Sequence, residues 1–233
     1  MEAQLGVAKI NKYASSESGD TLEVVERPGG GISVVLADGQ RSGKSAKRIS
    51  NMVVRKVISL LAEGVRDGAA ARAAADYLYT HRSGKVQSTL NIISLDMESQ
   101  TLVVTRNNPA PVLVKSNGST RILEDESVPV GVYKNTRPVI TEFDLAEGLM
   151  VACFSDGITN AGQRRSQSLD SLAFFERYTQ ENFGPQAIAD GLLQEALVLD
   201  EGRASDDISV VVLGVLPMEG DQVRRLSLRL PLK

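Results

Sequence analysis

Three places in this 233-residue chain share one design. The apolar run Ile32 to Ala37 leads straight into Asp38-Gly39. The run Leu149 to Phe154 leads through Ser155 into Asp156-Gly157. The pair Asp206-Asp207 stands immediately before the apolar run Ile208 to Val215, and Asp20 precedes Thr21 to Glu26 in the same way. If these runs are antiparallel strands, the ends carrying the acids can lie along one edge. Carboxylates gathered there repel: two like charges at ~4 Å cost about 4 kcal/mol at an effective dielectric near 20. Divalent cations that prefer oxygen, such as Mg²⁺ and Mn²⁺, relieve that repulsion. Two ions sharing a carboxylate can hold a phosphate and activate a water between them. Glycine after each of the first two acids is expected to let the backbone turn sharply and its carbonyl approach an ion.

A plainer reading competes, because Asp-Gly is a common turn dipeptide and any one of these could be only a turn. Other chemistry-bearing groups are few. Cys153 is the only cysteine and lies inside an apolar run, which suits a core residue better than a nucleophile. His81, the only histidine, ends a helical pattern and suits a helix C-terminus. Arg41 follows the first acidic turn, and its planar fork could bind a phosphate or simply be solvated. Lys44, Lys47 and Arg48 extend a basic stretch that could meet an acidic partner or form an ordinary charged helix face.

The elements that must position these groups follow from periodicity. Strands are expected at Gln4–Ile10, Thr21–Glu26, Ile32–Ala37, Thr89–Asp96, Thr101–Asn107, Val112–Lys115, Val139–Asp144, Leu149–Phe154 and Ile208–Val215, with one more at Leu226–Leu230. Pro28 to Gly31 reads as a hairpin turn. Ala46, Ile49, Val53, Val57 and Leu60 recur at helical spacing within Ser45–Glu63. Further helices are expected at Asp67–His81, Leu169–Glu181 and Pro185–Leu199. Strands, a helix pair, strands, a helix pair and strands again make an α+β layered domain of antiparallel sheets covered by helices.

The chain also resembles the PP2C-type metal-dependent protein phosphatases, in their bacterial SpoIIE-like branch and most of all the stressosome feedback phosphatases. The resemblance rests on Ser18-Gly19-Asp20, Val34 to Gly39 with Ser42-Gly43 and Ala46, Phe154 to Ala161, and Ser205 to Val211. Ser88-Thr89-Leu90 and Pro129 to Val132 support it. It implies one phosphatase domain over 1–233, folded as a four-layer αββα sandwich with two Mn²⁺ or Mg²⁺ ions at one end. By the same resemblance Asp38 would bridge the ions and the nucleophilic water, with Asp20 and the Gly39 carbonyl completing one ion and Asp156 and Asp206 the other. Asp207 falls where the family has a neighbouring support residue, so it is a lesser candidate ligand. Gln40-Arg41 departs from the family's usual turn, and the histidine that serves the eukaryotic branch as general acid has no counterpart.

Bulk properties bound the function. The net charge of −3 is too small to imply nucleic acid or membrane as the main partner. One cysteine permits no intrachain disulfide, and no long apolar run reaches the ~20 residues of a membrane helix, so a cytoplasmic location is expected. The resemblance implies hydrolysis of phosphoserine or phosphothreonine on a regulatory phosphoprotein of the anti-sigma-antagonist or stressosome type. A catalytically weak binding module and a small-molecule phosphomonoesterase are the alternatives.

Overall fold

The computed structural model describes residues 1–218 and 220–231. Among these residues, ten strands form two five-stranded antiparallel sheets. The first sheet has the order β1 (Glu2–Ile10), β10 (Ile208–Leu216), β9 (Met150–Phe154), β6 (Val112–Ser116), β7 (Ser119–Leu123). The second has the order β2 (Asp20–Glu26), β3 (Gly31–Asp38), β4 (Leu90–Asp96), β5 (Thr101–Asn107), β8 (Val139–Asp144). The long helices are α1 (Gly43–Ala62), α2 (Asp67–Arg82), α4 (Ser171–Gln180) and α5 (Pro185–Leu199), with a single turn, α3 (Asp156–Thr159), after β9.

Alternation along the central strands builds three apolar layers. Val34, Leu36, Ile93 and Val104 from one sheet meet Val112, Val151, Cys153, Val211 and Leu213 from the other. The opposite faces of β3 and β4, through Val35, Ala37, Leu90 and Ile92, pack on α1 and α2. The opposite faces of β9 and β10, through Ala152, Phe154, Val210 and Val212, pack on Phe174, Phe175, Ile188 and Leu192 of α4 and α5. The expected four-layer αββα sandwich is therefore the observed one. Strands buried on both faces explain why β3, β4, β9 and β10 read as continuous apolar runs. Ala70, Ala71, Ala74 and Ala75 of α2 are fully buried, and such small side chains let a helix approach closely.

Two elements differ from expectation. Ser119–Leu123 is a strand, paired with β6 through a tight turn at Asn117-Gly118, both at positive φ (52° and 75°). As an exposed edge strand containing Thr120 and Arg121, it has a weak apolar signal. Leu226–Leu230 forms no strand: Leu226, Leu228 and Leu230 are 73–88% exposed. Alternation alone does not make a strand when no sheet edge takes up its backbone groups.

Candidate metal centre

The topology brings the acids to one end of the sandwich. Asp20 opens β2 and Asp38 closes β3, and the two are directly paired across the strands. On the other sheet β9 and β10 are neighbours with Phe154 opposite Val210, so Asp156, just past β9, lies beside Asp206 and Asp207, just before β10. A cleft of about 340 Å³ opens here, lined by Asp38, Gly39, Arg41, Asp156, Asp206 and Lys12 among others.

Hydrogen bonds from distant parts of the chain hold three of these acids. The Asp38 backbone is clamped from β4's entry: its N–H donates to Thr89 Oγ1 (3.2 Å), and its carbonyl accepts from Ser88 Oγ (2.7 Å) and Thr89 N–H (2.9 Å). Asp20 is fully buried. Its Oδ2 accepts from Ser209 Oγ (2.6 Å) on the facing sheet, while its Oδ1 has no hydrogen-bond partner. Asp207 is also buried, and both its oxygens are committed: Oδ1 accepts from Lys12 N–H (2.9 Å) and Oδ2 from Gly19 N–H (2.7 Å). It thereby ties the loop leading to Asp20 onto the start of β10. Asp156 and Asp206 face the cleft.

Glycine serves a different purpose from the one expected. Neither Gly39 nor Gly157 is among the residues at positive φ. A Cβ at Gly39 would collide with the backbone carbonyl of Ala46 in α1, and one at Gly157 with the carbonyl of Asp207. The glycines are required by close packing of a helix and of a neighbouring strand entry, not by turn conformation. The left-handed residue in the first acidic turn is Arg41 (φ 77°), exposed at the cleft rim.

The electrostatics carry the mark of crowded negative charge. Burial, then the charges of Asp20 and Asp156, push the Asp38 carboxyl up to about 9. Burial, then Asp206, pushes Asp156 up to about 6. Burial raises Asp20 as well. Two lysines offset part of this: Lys9 Nζ (2.6 Å) and Lys47 Nζ (2.7 Å) both donate to the Asp20 carbonyl oxygen, and burial lowers the pKa of each. The basic stretch at the start of α1 is thus divided: Lys47 turns inward behind Asp20, while Lys44 and Arg48 remain exposed.

These residues fit hard divalent ions. The donors are all oxygens, one buried carboxylate oxygen lacks a partner, and the carboxyls are held above their ordinary range by burial and then by one another's charge. Among the described residues, no three acidic, histidine or cysteine side chains converge tightly enough to cage an ion by themselves. Completion by a backbone carbonyl, water and phosphate oxygens is the usual arrangement for Mg²⁺.

Sequence reasoning did not single out Lys12. Its Nζ lies 3.7 Å from Asp206 Oδ1, across 194 residues of chain, and no local signal marks it. His81 does not line the cleft; its Nδ1 is 2.9 Å from the Tyr77 carbonyl, and its ring packs on Tyr77. Cys153 is buried in the inter-sheet core, where burial pushes its thiol up to about 12, as expected of an inert core residue. No helix among the described residues is long and apolar enough to cross a membrane.

Comparison with known proteins gives the same architecture. The sequence model of the family "Stage II sporulation protein E (SpoIIE)" matches residues 28–216. The chain is 22% identical over 210 residues to Stage II sporulation protein E of Bacillus subtilis (strain 168), covering 90% of this chain and 25% of that protein. It thus spans about a quarter of that relative's length. Among solved structures, the PP2C phosphatase domain with a fragment of the regulatory domain of SpoIIE from Bacillus subtilis superposes with a TM-score of 0.78. The identity is 22%, over 92% of this chain and 63% of that one. The catalytic domain of the serine/threonine protein phosphatase PstP, in complex with 2 manganese ions, superposes with a TM-score of 0.69 at 15% identity, over 92% and 98% of the two chains. A family match that runs from the β2–β3 turn through β10, taking in Asp38, Asp156 and Asp206, makes this chain a member of the SpoIIE family with the PP2C-type fold.

Proposed function

We propose that the chain is a divalent-metal-dependent phosphatase, a single catalytic domain over residues 1–233, which hydrolyses phosphoserine or phosphothreonine on a regulatory phosphoprotein. One observation carries this reading: carboxylates from two separate sheets, Asp38 on one and Asp156 and Asp206 on the other, line one cleft, with fully buried Asp20 paired to Asp38 across the strands, and burial and neighbouring charge hold the Asp38 carboxyl near 9. A fold does not maintain such crowding without a countercharge.

In this reading Asp38, Asp20, the Gly39 carbonyl, Asp156 and Asp206 would together hold two Mn²⁺ or Mg²⁺ ions, with Asp38 as the residue common to both. When bound, the ions lower the pKa of a water at the cleft and compensate charge on the phosphoryl oxygens. Asp207 holds the Gly19 N–H and so aims Asp20, which suits a supporting role better than direct ligation. Ser209 fixes one oxygen of Asp20 and so restrains its carboxylate. Ser88 and Thr89 keep the Asp38 backbone in place. Lys12 and Arg41, both lining the cleft, offer cations to the phosphate; Arg41 does so with a planar fork. No histidine lines the cleft, so a metal-bound water or solvent would supply the proton to the leaving oxygen. The anti-sigma-antagonist or stressosome type of phosphoprotein is the substrate class to which the sequence resemblance points.

The test is phosphate release from a phosphoserine peptide and from p-nitrophenyl phosphate, with Mn²⁺ or with chelator, for wild type and Asp38→Ala. Metal-dependent release from the peptide, lost in Asp38→Ala, is the expected outcome. No release from either substrate would make the chain a binding module, and release from the small ester alone would make it a phosphomonoesterase.

A further inference from the structure

A second concavity lies off the catalytic cleft, on the outer face of the α1–α2 pair. It measures about 590 Å³ and is lined by Arg48, Asn51, Arg55 and Lys56 of α1 with Tyr77 and Arg82 of α2. The spacing 48, 51, 55, 56 puts these side chains on one stripe of the helix. Helix α1 contains Lys44, Lys47, Arg48, Arg55 and Lys56 but not one Asp or Glu, so no acid within the helix neutralises the stripe. Among the described residues, Arg48, Arg55, Lys56 and Arg82 make no ion pair within 4.0 Å and no side-chain hydrogen bond within 3.5 Å; Lys56 lies 5.8 Å over the Tyr77 ring. This concentration of unneutralised cation sits on a chain whose net charge is −3.

Helix α1 starts at the cleft and carries the groove further along its length. Arg41 and Ser42 line the cleft, and α1 begins at Gly43. Arg48 follows about 8 Å further along the helix axis and Arg55 about 18 Å. An extended peptide covers that distance in about five or six residues. We infer that the α1–α2 groove is a docking surface for an acidic segment of the phosphoprotein substrate, seated within about five to eight residues of the phosphorylated side chain. The inference rests on the phosphatase reading and names its substrate class: phosphoserine or phosphothreonine with a nearby Asp/Glu cluster. Residues 220–231 of this chain do not suit the groove, since they carry Arg224, Arg225 and Arg229. A patch of four lining cations set in a net-acidic chain favours a short acidic peptide over a long polyanion.

The experiment uses the full chain with Mn²⁺ and three fluorescein-labelled phosphoserine peptides. One carries a Glu/Asp cluster six residues before the phosphoserine, one six residues after it, and one has Gln/Asn in place of the cluster. One acidic peptide is expected to exceed the neutral one in kcat/KM by about tenfold at low salt, with the advantage lost in 0.5 M NaCl. R55E/R82E and the milder R55Q/R82Q should both abolish the advantage while leaving p-nitrophenyl phosphate hydrolysis and the thermal melt unchanged. Equal rates for all three peptides, with the small ester still hydrolysed, would overturn the docking inference and leave the phosphatase reading intact. If no substrate is hydrolysed, that reading fails by itself, and fluorescence anisotropy decides the groove. Acidic-peptide binding lost in both double variants supports it; no binding sinks it. Tighter binding of a 20-base-pair DNA or of phosphatidylserine vesicles than of either acidic peptide would also overturn it.

Discussion

Replacing Asp38 by Asn should make the metal-free protein more stable and the metal-loaded protein useless. The carboxyl of Asp38 titrates near 9 in the fold, far above the ordinary 3.8, chiefly because it is buried and secondly because Asp20 and Asp156 repel its charge. A carboxyl raised in the fold binds more protons in the native than in the unfolded state between those two values. Metal-free stability is therefore fully present below pH about 4 and is lost as the pH rises toward about 9. One proton is worth about 1.4 kcal/mol per pH unit, so the ceiling at pH 7.5 is about 5 kcal/mol. The cleft is open to solvent, which screens the charge, and about 2–3 kcal/mol is the expected size. The amide introduced by Asp38→Asn carries no charge and can donate to the unpartnered Asp20 oxygen, so the variant escapes this cost. Thermal unfolding in EDTA at pH 5.5, 7.0 and 8.5 measures it. The wild type should lose stability across the series, and the variant should melt about 5–10 °C above it at pH 8.5. Millimolar Mn²⁺ should raise the wild-type melting temperature and leave the variant's unchanged. A variant that melts below wild type in EDTA at pH 8.5, or a wild type whose stability is flat with pH, would refute the electrostatic account.

Three further outcomes follow from the same geometry. Ser209→Ala removes the 2.6 Å hydrogen bond to buried Asp20 and should cost about 1–3 kcal/mol in urea unfolding, while weakening Mn²⁺ binding measured by calorimetry. Gly157→Ala forces a Cβ against the Asp207 carbonyl and should destabilise by about 2–4 kcal/mol; a neutral result would mean the β9–α3 turn yields more readily than its packing indicates. Lys12→Met removes the cation beside Asp206 and should raise KM for p-nitrophenyl phosphate by about fivefold with a smaller change in kcat. Equal falls in kcat and kcat/KM would instead place Lys12 at the transition state.

The sequence was most legible where burial is two-sided. Ile32–Ala37, Leu149–Phe154 and Ile208–Val215 are apolar enough to be read without a partner, and they become β3, β9 and β10, the strands that carry the acids. Because each acid sits at a strand end, a sequence that reveals the strands also locates the acids. What stayed hidden depends on contacts made far along the chain. Lys12 gains meaning only because Asp206 folds against it, and Lys47 looks like one of three surface cations until Asp20 turns its carbonyl toward it. Asp206 and Asp207 are adjacent and chemically identical, yet one faces the cleft while the other is consumed by two backbone N–H groups. Gly39 and Gly157 were expected to be turns, because a sequence shows a glycine but not the carbonyl that presses against it. Ser119–Leu123 was missed, and Leu226–Leu230 over-read, for the converse reason: at the margin of a sheet, pairing rather than pattern decides.

The bonds from Ser209 to Asp20 and from Gly19 to Asp207 join groups separated by 189 and 188 positions. During synthesis, a chain stopped short of β10 would already contain Asp20, Asp38 and Asp156, yet would lack the Ser209 hydroxyl that restrains the carboxylate of the first. Manganese uptake should therefore lag behind formation of the helices and hairpins and coincide with the last docking event. On the proposed reading, a nascent or proteolytically clipped fragment lacking β10 would be silent rather than partly active.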